Sequence, residues 1–244
     1  MNNLHYFKNY EKKQYSYNLI LYIPLDIWRI IFDILDFKSK IKLISTCKFL
    51  RQNLYIVDLY NIEKKYLEKL TTRILKYYIF RNVVSLDASD NNKINDVSFM
   101  KNLKKLNASD ECGIDQNGIK ELDLFELNAN YNIKIKDVSF MKNLKILYAN
   151  GMCGINQNGI KELDLIELHV DDNKKIKDIS FMKNLKILYA GEECRINQNG
   201  IGELDLIELY VGNNKRIKNV SFMKNLKILD ASGICRINQN NIDI

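Results

Sequence analysis

A 41-residue unit recurs through the last two-thirds of this 244-residue chain and restricts the fold more than any other feature. The shared hexapeptide Phe-Met-Lys-Asn-Leu-Lys begins at Phe99, Phe140, Phe181 and Phe222. A cysteine follows each copy, at Cys112, Cys153, Cys194 and Cys235. Both series advance by 41 residues, so the chain carries a tandem array rather than one irregular globule. Arrays of this kind provide binding surfaces more often than catalytic sites.

Each unit contains two copies of the shorter pattern Leu-x-x-Leu-x-small. The copies are Val83–Ala88, Leu103–Ala108, Leu124–Ala129, Leu144–Ala149, Leu165–Val170, Leu185–Ala190, Leu206–Val211 and Leu226–Ala231, spaced by 20 or 21 residues in alternation. This pattern resembles the leucine-rich repeat, L-x-x-L-x-L-x-x-N/C-x-L. Every first copy carries the asparagine of that signature, at Asn91, Asn132, Asn173 and Asn214. The resemblance implies an α/β repeat fold over residues 83–244, a solenoid of about eight repeats with a parallel concave sheet.

The spacing of apolar residues predicts what each part of the repeat does. One short strand per repeat cannot bury its apolar side alone, so we expect the strands to stack in parallel about 4.8 Å apart. Some ten residues remain for the return segment, which predicts short 3₁₀ turns or extended chain. We expect the phenylalanines of the hexapeptide to form an internal spine. The Gln-Asn-Gly segments at 116–118, 157–159 and 198–200 read as turns in which glycine supplies a positive φ.

The repeated cysteines are candidates for disulfides or a metal site. Successive cysteines lie two repeats apart, so their backbones should be about 9–10 Å apart. That separation exceeds the limit of about 7 Å for a disulfide and is too wide for a shared zinc ion. We therefore expect buried free thiols and no cofactor. Unpaired thiols and the lack of a signal-peptide pattern favour a reducing compartment, the cytoplasm or alternatively the nucleus.

The front of the chain carries a second pattern. Pro24 is the only proline in the sequence and suits the first turn of a helix. Apolar residues at Ile27, Ile31, Ile34 and Leu35 then form one helical stripe. Ser39 can cap a second helix, which carries Ile41, Ile44, Cys47 and Phe49.

Residues 23–50 are similar to the F-box, whose pattern is roughly Leu-Pro-x-Glu-Ile-Leu-x-x-Ile-Phe-x-x-Leu-Asp, a polar break and an apolar helix ending in Val-Cys-x-x-Trp. The pairs that fall on it in register are Ile23-Pro24, Asp26-Ile27, Ile31-Phe32 and Leu35-Asp36, while Asp26, Thr46 and Leu50 depart from it. The resemblance implies binding to a Skp1-like adaptor and, through it, to a cullin–RING ligase. The implied contact residues are Ile23, Pro24, Leu25, Ile27, Trp28, Ile31, Leu35, Ile41, Ile44 and Leu50. The alternative is that these helices only cap the repeat array.

The sequence predicts four segments. Residues 1–18 are polar and predict a flexible tail, and residues 19–53 are the F-box-like segment. Residues 54–82 predict a connecting strand and helix, with a strand at Leu54–Leu59 and one amphipathic helix over Asn61–Tyr78, that caps the array. Residues 83–244 are the repeats.

Charge and hydropathy restrict the class of partner. The mean hydropathy is −0.27, and the apolar run Leu19–Ile23 is too short to span a bilayer, so no membrane partner is expected. The net charge of +7 divides into +8 for residues 1–82 (15 basic, 7 acidic) and −1 for residues 83–244 (22 basic, 23 acidic). The array is electrically balanced, which argues against a nucleic-acid partner.

The strand positions that vary between repeats indicate where a target would bind. One column reads Ser85, Lys105, Glu126, Ile146, Glu167, Ile187, Glu208 and Ile228, and the next reads Asp87, Asn107, Asn128, Tyr148, His169, Tyr189, Tyr210 and Asp230. An aromatic cluster beside apolar residues is typical of a protein-binding surface. The predicted target-binding residues are Glu126, Asn128, Ile146, Tyr148, Glu167, His169, Ile187, Tyr189, Glu208 and Tyr210. The alternative is drift at unconstrained strand positions, where tyrosine is favoured in any case.

The function indicated by these patterns is protein recognition rather than catalysis. His169 lies between Glu126 and Glu208, two strands away on either side, but no nucleophile, phosphate loop or metal spacing accompanies it. The two resemblances together imply a substrate-recognition adaptor of an SCF-type ubiquitin ligase. The alternative is a stand-alone repeat module that binds a partner. The bias toward Lys, Asn, Ile and Tyr and the near-identical units resemble F-box/repeat proteins of large DNA viruses of amoebae, which would make the target a host protein in the host cytoplasm.

Overall fold

The computed structural model describes residues 22–237. The chain divides into two compact units. The front unit takes in the described residues up to Val57 together with Tyr77–Asn82, and the repeat unit takes in Asp58–Lys76 and the chain from Val83 onward. The segment 54–82 that connects the F-box-like and repeat parts of the sequence therefore contributes residues to both units.

Three short helices form most of the front unit. They are α1 (Leu25–Ile34), α2 (Phe37–Thr46) and α3 (Lys48–Asn53), and α1 begins directly after Pro24. The side chains that fill the unit's interior are Phe32, Ile44, Leu50, Leu54 and Ile56. The backbone N–H of Ile56 donates to the carbonyl of Ile79 at 2.9 Å, which holds the segment Tyr77–Asn82 in this unit.

Two details of the helix prediction were wrong. Asp36, not Ser39, caps α2: its carboxylate accepts from the backbone N–H of Ser39 at 2.8 Å, and this bond lowers the pKa of Asp36. The second predicted helix is broken at Cys47, whose backbone is extended and whose Sγ accepts from the N–H of Leu50 at 3.5 Å. Cys47 thus ends α2 and caps α3, because a thiol at an N-cap can satisfy a free backbone donor.

The repeat unit is built on one sheet of nine parallel strands in chain order, β1 to β9, in a solenoid. The strands are Asp58–Leu59, Ser85–Asp87, Lys105–Asn107, Glu126–Asn128, Ile146–Tyr148, Glu167–His169, Ile187–Tyr189, Glu208–Tyr210 and Ile228–Asp230. The central leucine of each strand from Leu59 to Leu209 is at most 1% exposed, so the strand period of two places it in the core. Of the extra strand predicted over Leu54–Leu59, only Asp58–Leu59 is present, as β1, and it pairs with β2.

The single helix predicted over Asn61–Tyr78 is not present. Two one-turn helices, α4 (Lys64–Leu67) and α5 (Thr72–Leu75), take part of that range, and a separate 3₁₀ turn covers Tyr78–Phe80. The break has a hydrogen-bonding cause. The Asn91 Nδ2 donates to the carbonyls of Leu67 and Leu70 at 2.9 and 3.2 Å, and the Thr71 hydroxyl caps α5 by accepting from the N–H of Ile74. These bonds replace the ones that a continuous helix would have made.

Asn91 begins a ladder of asparagines that recurs every 41 residues. Asn132, Asn173 and Asn214 are each at most 1% exposed. The Nδ2 of Asn173 donates to the Ala149 carbonyl at 2.8 Å, and its Oδ1 accepts from the N–H of Lys175 at 2.8 Å. The same bonds recur at Asn132 and Asn214. The repeat requires asparagine at this position because its buried amide both donates to a backbone carbonyl and accepts from a backbone N–H.

The return segments are short, as predicted. They contain 3₁₀ turns at Asn117–Ile119 and Asn158–Ile160 and one four-residue helix, α6 (Gln198–Ile201). Each glutamine of the Gln-Asn-Gly segment bonds the backbone of the next unit. The Gln157 Oε1 accepts from the N–H groups of Lys177 and Asp178 at 3.0 and 2.9 Å, while its Nε2 donates to the Asp178 carbonyl at 2.7 Å. One glutamine side chain thus makes three hydrogen bonds to the backbone of the next unit and joins the two units outside the sheet.

The explanation given for the glycine of Gln-Asn-Gly was wrong. Gly118, Gly159 and Gly200 are not among the residues with positive φ. A Cβ at Gly159 would instead lie 2.0 Å from the Lys136 carbonyl oxygen, and one at Gly200 would lie 2.0 Å from that of Lys177. Glycine is required because the backbone of the preceding repeat approaches too closely for any side chain.

The predicted phenylalanine spine was also wrong. Phe140 and Phe181 are 38% and 39% exposed, whereas the adjacent Met141 and Met182 are fully buried. The methionine of each hexapeptide therefore points into the solenoid and the phenylalanine covers its outside. A flexible thioether can follow the irregular interior of a turn that is neither helix nor strand.

The cysteines are free thiols, and burial changes their chemistry. Cys112, Cys153 and Cys194 are fully buried, and the Sγ of Cys153 accepts from the N–H of Ile155 at 3.4 Å. Burial raises the pKa of Cys112 and Cys153 to about 11 and that of Cys194 to about 12, from an ordinary value of 9.0. Cys47 is buried in the front unit, and Cys235 is half-exposed.

We expect only Cys235 to react rapidly with a thiol reagent in the folded protein at about pH 8, because the other four thiols are shielded. Titration with an aromatic disulfide reagent should give one fast equivalent, rising to five in denaturant. Cys235→Ser is the control and should abolish the fast phase. Two or more fast equivalents would contradict the burial of the other thiols.

The buried thiols also make the stability of the protein depend on pH. Because the pKa of Cys153 is raised on folding, its contribution to the free energy of unfolding is full below pH 9.0 and is lost as the pH rises toward 11.

Candidate protein-interaction surfaces

The ten predicted target-binding residues lie on the solvent-facing side of strands β4–β8, which we call the sheet face. The strand register places them in two rows. The first row runs Glu126, Ile146, Glu167, Ile187 and Glu208, and the second runs Asn128, Tyr148, His169, Tyr189 and Tyr210. All ten side chains are half-buried. Each row joins residues in direct register, so neighbouring side chains stand one strand apart.

The second row contains a continuous stack of four rings. The ring centres of Tyr148 and His169 are 4.2 Å apart, those of His169 and Tyr189 are 4.1 Å apart, and those of Tyr189 and Tyr210 are 4.1 Å apart. The last two pairs are nearly parallel, at 11° and 6°. We call Tyr148, His169, Tyr189 and Tyr210 the aromatic ladder. Because their faces cover one another, the ladder presents ring edges and hydroxyls to a partner.

The glutamates of the first row bond to the ladder. The Nε2 of His169 lies 2.6 Å from Glu167 Oε1, and the Tyr210 hydroxyl donates to Glu208 Oε2 at 3.0 Å. The sequence had suggested Glu126 and Glu208 as neighbours of His169, but its contact is Glu167, two residues earlier on the same strand. The strand period of two, which puts both side chains on one face, was the available signal.

Glu126 has a different partner. It forms an ion pair with Lys105 at 3.0 Å, and the Lys105 Nζ lies 4.1 Å from the centre of the Tyr60 ring. The glutamates of β6 and β8 bond to an imidazole or a hydroxyl instead. The row therefore changes from a neutralised end at β4 to a negative end at β6–β8.

Burial, hydrogen bonds and nearby carboxylates raise the pKa of two ladder hydroxyls, those of Tyr148 and Tyr210. The pKa of Tyr148 rises to about 12, first because of burial and then because of the charges of Glu167 and Glu126. The pKa of Tyr210 is raised mainly by its hydrogen bonds with Tyr189 and Glu208. These phenols act as hydrogen-bond donors at neutral pH and not as bases. Within residues 22–237, no group of three or more His, Cys, Asp and Glu side chains is placed to hold a metal.

A third row on the sheet face was not predicted. It runs Asn130, Asn150, Asp171, Gly191 and Gly212, two residues beyond the second row. Asn150 N–H donates to Asn130 at 2.8 Å, Asp171 N–H donates to Asn150 at 2.9 Å, and Gly191 N–H donates to Asp171 at 2.7 Å. Burial raises the pKa of Asp171. These bonds fix the backbone next to the ladder.

An open pocket of about 590 Å³ lies beside the middle of this row. Its lining residues are Tyr131, Asn150, Asp171, Asp172, Lys174, Glu192 and Glu193. Lys174 is the only cation of the lining and bonds Glu193 at 2.5 Å. The lining carries four carboxylates against one ammonium, so this side of the ladder is also negative.

In the front unit, the predicted adaptor-binding residues differ in exposure. Pro24 and Ile27 are exposed. Half-buried side chains are Ile23, Leu25, Trp28, Ile31, Leu35 and Ile41, and Ile44 and Leu50 are buried. The most exposed side of α1 is a stripe of Ile27, Ile30 and Ile34, which are 45%, 59% and 79% exposed. Ile30 and Ile34 were both missing from the predicted set, although their spacing from Ile27 is helical.

A second apolar surface of the front unit is a groove of about 630 Å³. Its lining residues are Ile41, Ile44, Ser45, Lys48, Arg51, Gln52, Tyr77, Tyr78 and Ile79. The guanidinium of Arg81 stacks 3.8 Å from the centre of the Tyr78 ring, which fixes that side chain.

Among the described residues no helix is both long and apolar enough to cross a membrane. Comparison of the chain with protein-family models and with curated protein sequences finds no match.

Proposed function

We propose that this chain is a substrate-recognition adaptor of an SCF-type ubiquitin ligase. In this proposal the front unit is an F-box that binds a Skp1-like adaptor and, through it, a cullin–RING ligase. The repeat unit is a leucine-rich-repeat array whose sheet face holds the target, a host protein if the chain is viral. The chain itself has no catalytic role.

The observation that carries the proposal is the exposed stripe Ile27, Ile30 and Ile34 on α1. Three exposed isoleucines on one face of a ten-residue helix are unfavourable in water. Full burial of an isoleucine from water contributes about 1.5–3 kcal/mol, and covering the exposed part of each by a partner contributes a corresponding share. The stripe lies within the segment that resembles the F-box. An exposed apolar stripe of this kind is typical of a protein-docking surface.

The sheet face supports the second half of the proposal. It carries four aromatic rings, interleaved isoleucines and charged hydrogen-bonding groups, the composition of protein-binding hot spots. Buried asparagines and half-buried glutamines hold the backbone on either side of the strands. A rigid surface loses little conformational entropy on binding.

The test is binding of the full chain to purified Skp1 by calorimetry, beside the double variant Ile30→Asp/Ile34→Asp. We expect micromolar or tighter binding by the wild type and a loss of roughly 100-fold in the variant, because two charges would replace apolar contacts. Ile133→Asp, at an isoleucine of the repeat unit that is 62% exposed, is the matched control and should bind normally.

Circular dichroism of all three proteins separates loss of binding from loss of folding. Wild-type protein that is folded but does not bind Skp1 would refute the ligase proposal. The remaining function would then be the stand-alone interaction module, which the aromatic ladder favours because it lies wholly within the repeat unit.

A further inference from the structure

The first row of the sheet face has a regular alternation of charge. Carboxylates at Glu126, Glu167 and Glu208 occupy every second strand, and Ile146, Ile187 and Ile228 occupy the strands between them. Adjacent strands in a sheet are about 4.8 Å apart. Successive carboxylates in this row therefore stand about 9.6 Å apart, twice the strand spacing.

Neither Glu167 nor Glu208 is paired with a lysine or arginine among the residues that the structure describes. Within the described residues, the ion pairs assign Lys105 to Glu126, whereas the ion-pair contact of Glu167 is His169 and Glu208 accepts from Tyr210. A carboxylate has about four acceptor sites, so Glu167 and Glu208 retain capacity for a further donor. The pocket beside the third row adds Asp171, Asp172, Glu192 and Glu193 against one lysine. The β6–β8 part of the sheet face thus complements a cationic partner.

The spacing of Glu167 and Glu208 selects a backbone conformation for that partner. A polyproline II helix has three residues per turn and a rise of about 3.1 Å, so side chains three residues apart lie about 9.3 Å apart on one side. In a β-strand, side chains on one side repeat at about 6.8 Å. In an α-helix, positions seven residues apart lie about 10.5 Å apart. The polyproline II repeat comes closest to the separation of the carboxylates.

The residues between the carboxylates fit the same partner. Ile187 stands between Glu167 and Glu208 in the row and offers an apolar contact to a proline ring or to lysine and arginine methylenes. The hydroxyls of the aromatic ladder border the row along its length. Aromatic-lined grooves suit proline-rich segments because such segments are extended before they bind.

We propose that strands β6–β8 of the sheet face bind a basic polyproline II segment, with lysine or arginine at every third residue placed against Glu167 and Glu208. This inference rests on the proposed use of the sheet face as the target-binding surface and names the class of target.

The experiment compares two fluorescent peptides of about 12 residues with the same composition, one a Pro-Pro-Arg repeat and the other with its arginines grouped at one end. Fluorescence anisotropy with the full chain measures each dissociation constant. We expect the repeat peptide to bind about tenfold more tightly, because only its spacing satisfies both carboxylates. Glu167→Gln and Glu208→Gln should each weaken the repeat peptide by about tenfold and leave the grouped peptide nearly unchanged.

Glu203→Gln removes an exposed carboxylate from a turn outside the sheet face and is the control, with binding expected as in the wild type. The charge-reversed variant Glu167→Lys/Glu208→Lys should instead prefer a Pro-Pro-Glu repeat, which a merely damaged protein would not do. Equal affinity for the two arginine peptides, or no binding of either, would overturn the inference. Skp1 binding is measured separately through the front unit, so a failed peptide experiment leaves the ligase proposal standing, and the reverse also holds.

Discussion

Gly159→Ala is expected to lower the free energy of unfolding by about 3 kcal/mol or more, one of the largest effects of any single methyl group in this chain. The new Cβ would lie 2.0 Å from the Lys136 carbonyl oxygen, a backbone atom that cannot rotate away. The carbonyl of Gly159 also accepts from the N–H of Val138 at 2.9 Å, so this glycine is hydrogen-bonded to the preceding repeat. Relief of the clash would therefore break the bonds that join two successive repeats.

Gly212→Ala is the matched control for this prediction. A Cβ at Gly212 meets the Ser232 hydroxyl oxygen at 2.9 Å, and that oxygen can rotate to another rotamer. Its unfolding free energy should change by less than about 1 kcal/mol. Urea unfolding followed by circular dichroism measures both variants. If Gly159→Ala were as stable as Gly212→Ala, the close approach of the two backbones would be refuted.

The positions of the strands follow directly from the sequence, whereas the roles of the return residues do not. In the pattern Leu-x-x-Leu-x-small, the second leucine and the small residue, such as Leu106 and Ala108, lie in the core. The spacing of 20 or 21 residues between copies puts successive strands in register. Return residues have no such period. Whether Phe181 or Met182 points inward depends on backbone angles in turns, which a pattern of apolar residues leaves open.

Contacts with distant residues account for two further wrong predictions. The break between α4 and α5 depends on Asn91, more than 20 residues downstream, and Gly159 meets the backbone of Lys136, 23 residues upstream. Such contacts are invisible to local helix propensity. Composition did indicate an aromatic cluster on the sheet face. The ring stack and the choice of Glu167 as the contact of His169 depend in addition on the side-chain conformations, which the sequence pattern does not contain.

Met182→Ala should destabilise the chain by about 2–4 kcal/mol, whereas Phe181→Ala should cost less than about 1 kcal/mol. Met182 is fully buried, so its truncation leaves a cavity in addition to the lost burial, and Phe181 is already 39% exposed. The order is the reverse of the one that side-chain size and hydrophobicity alone would give. Because Phe181 and Met182 are adjacent, the two variants compare inward and outward side chains in the same turn of the repeat.

Met182→Leu separates the effect of the cavity from that of the thioether. A leucine fills nearly the same volume, so this variant should lose less than about 1.5 kcal/mol. The three unfolding free energies, measured by urea titration, should rank Met182→Ala as the least stable. Repeat arrays can unfold in parts, so the urea dependence must match the wild type before the values are compared. A larger loss in Phe181→Ala than in Met182→Ala would restore the phenylalanine spine, because only a phenylalanine packed in the interior could leave the larger cavity.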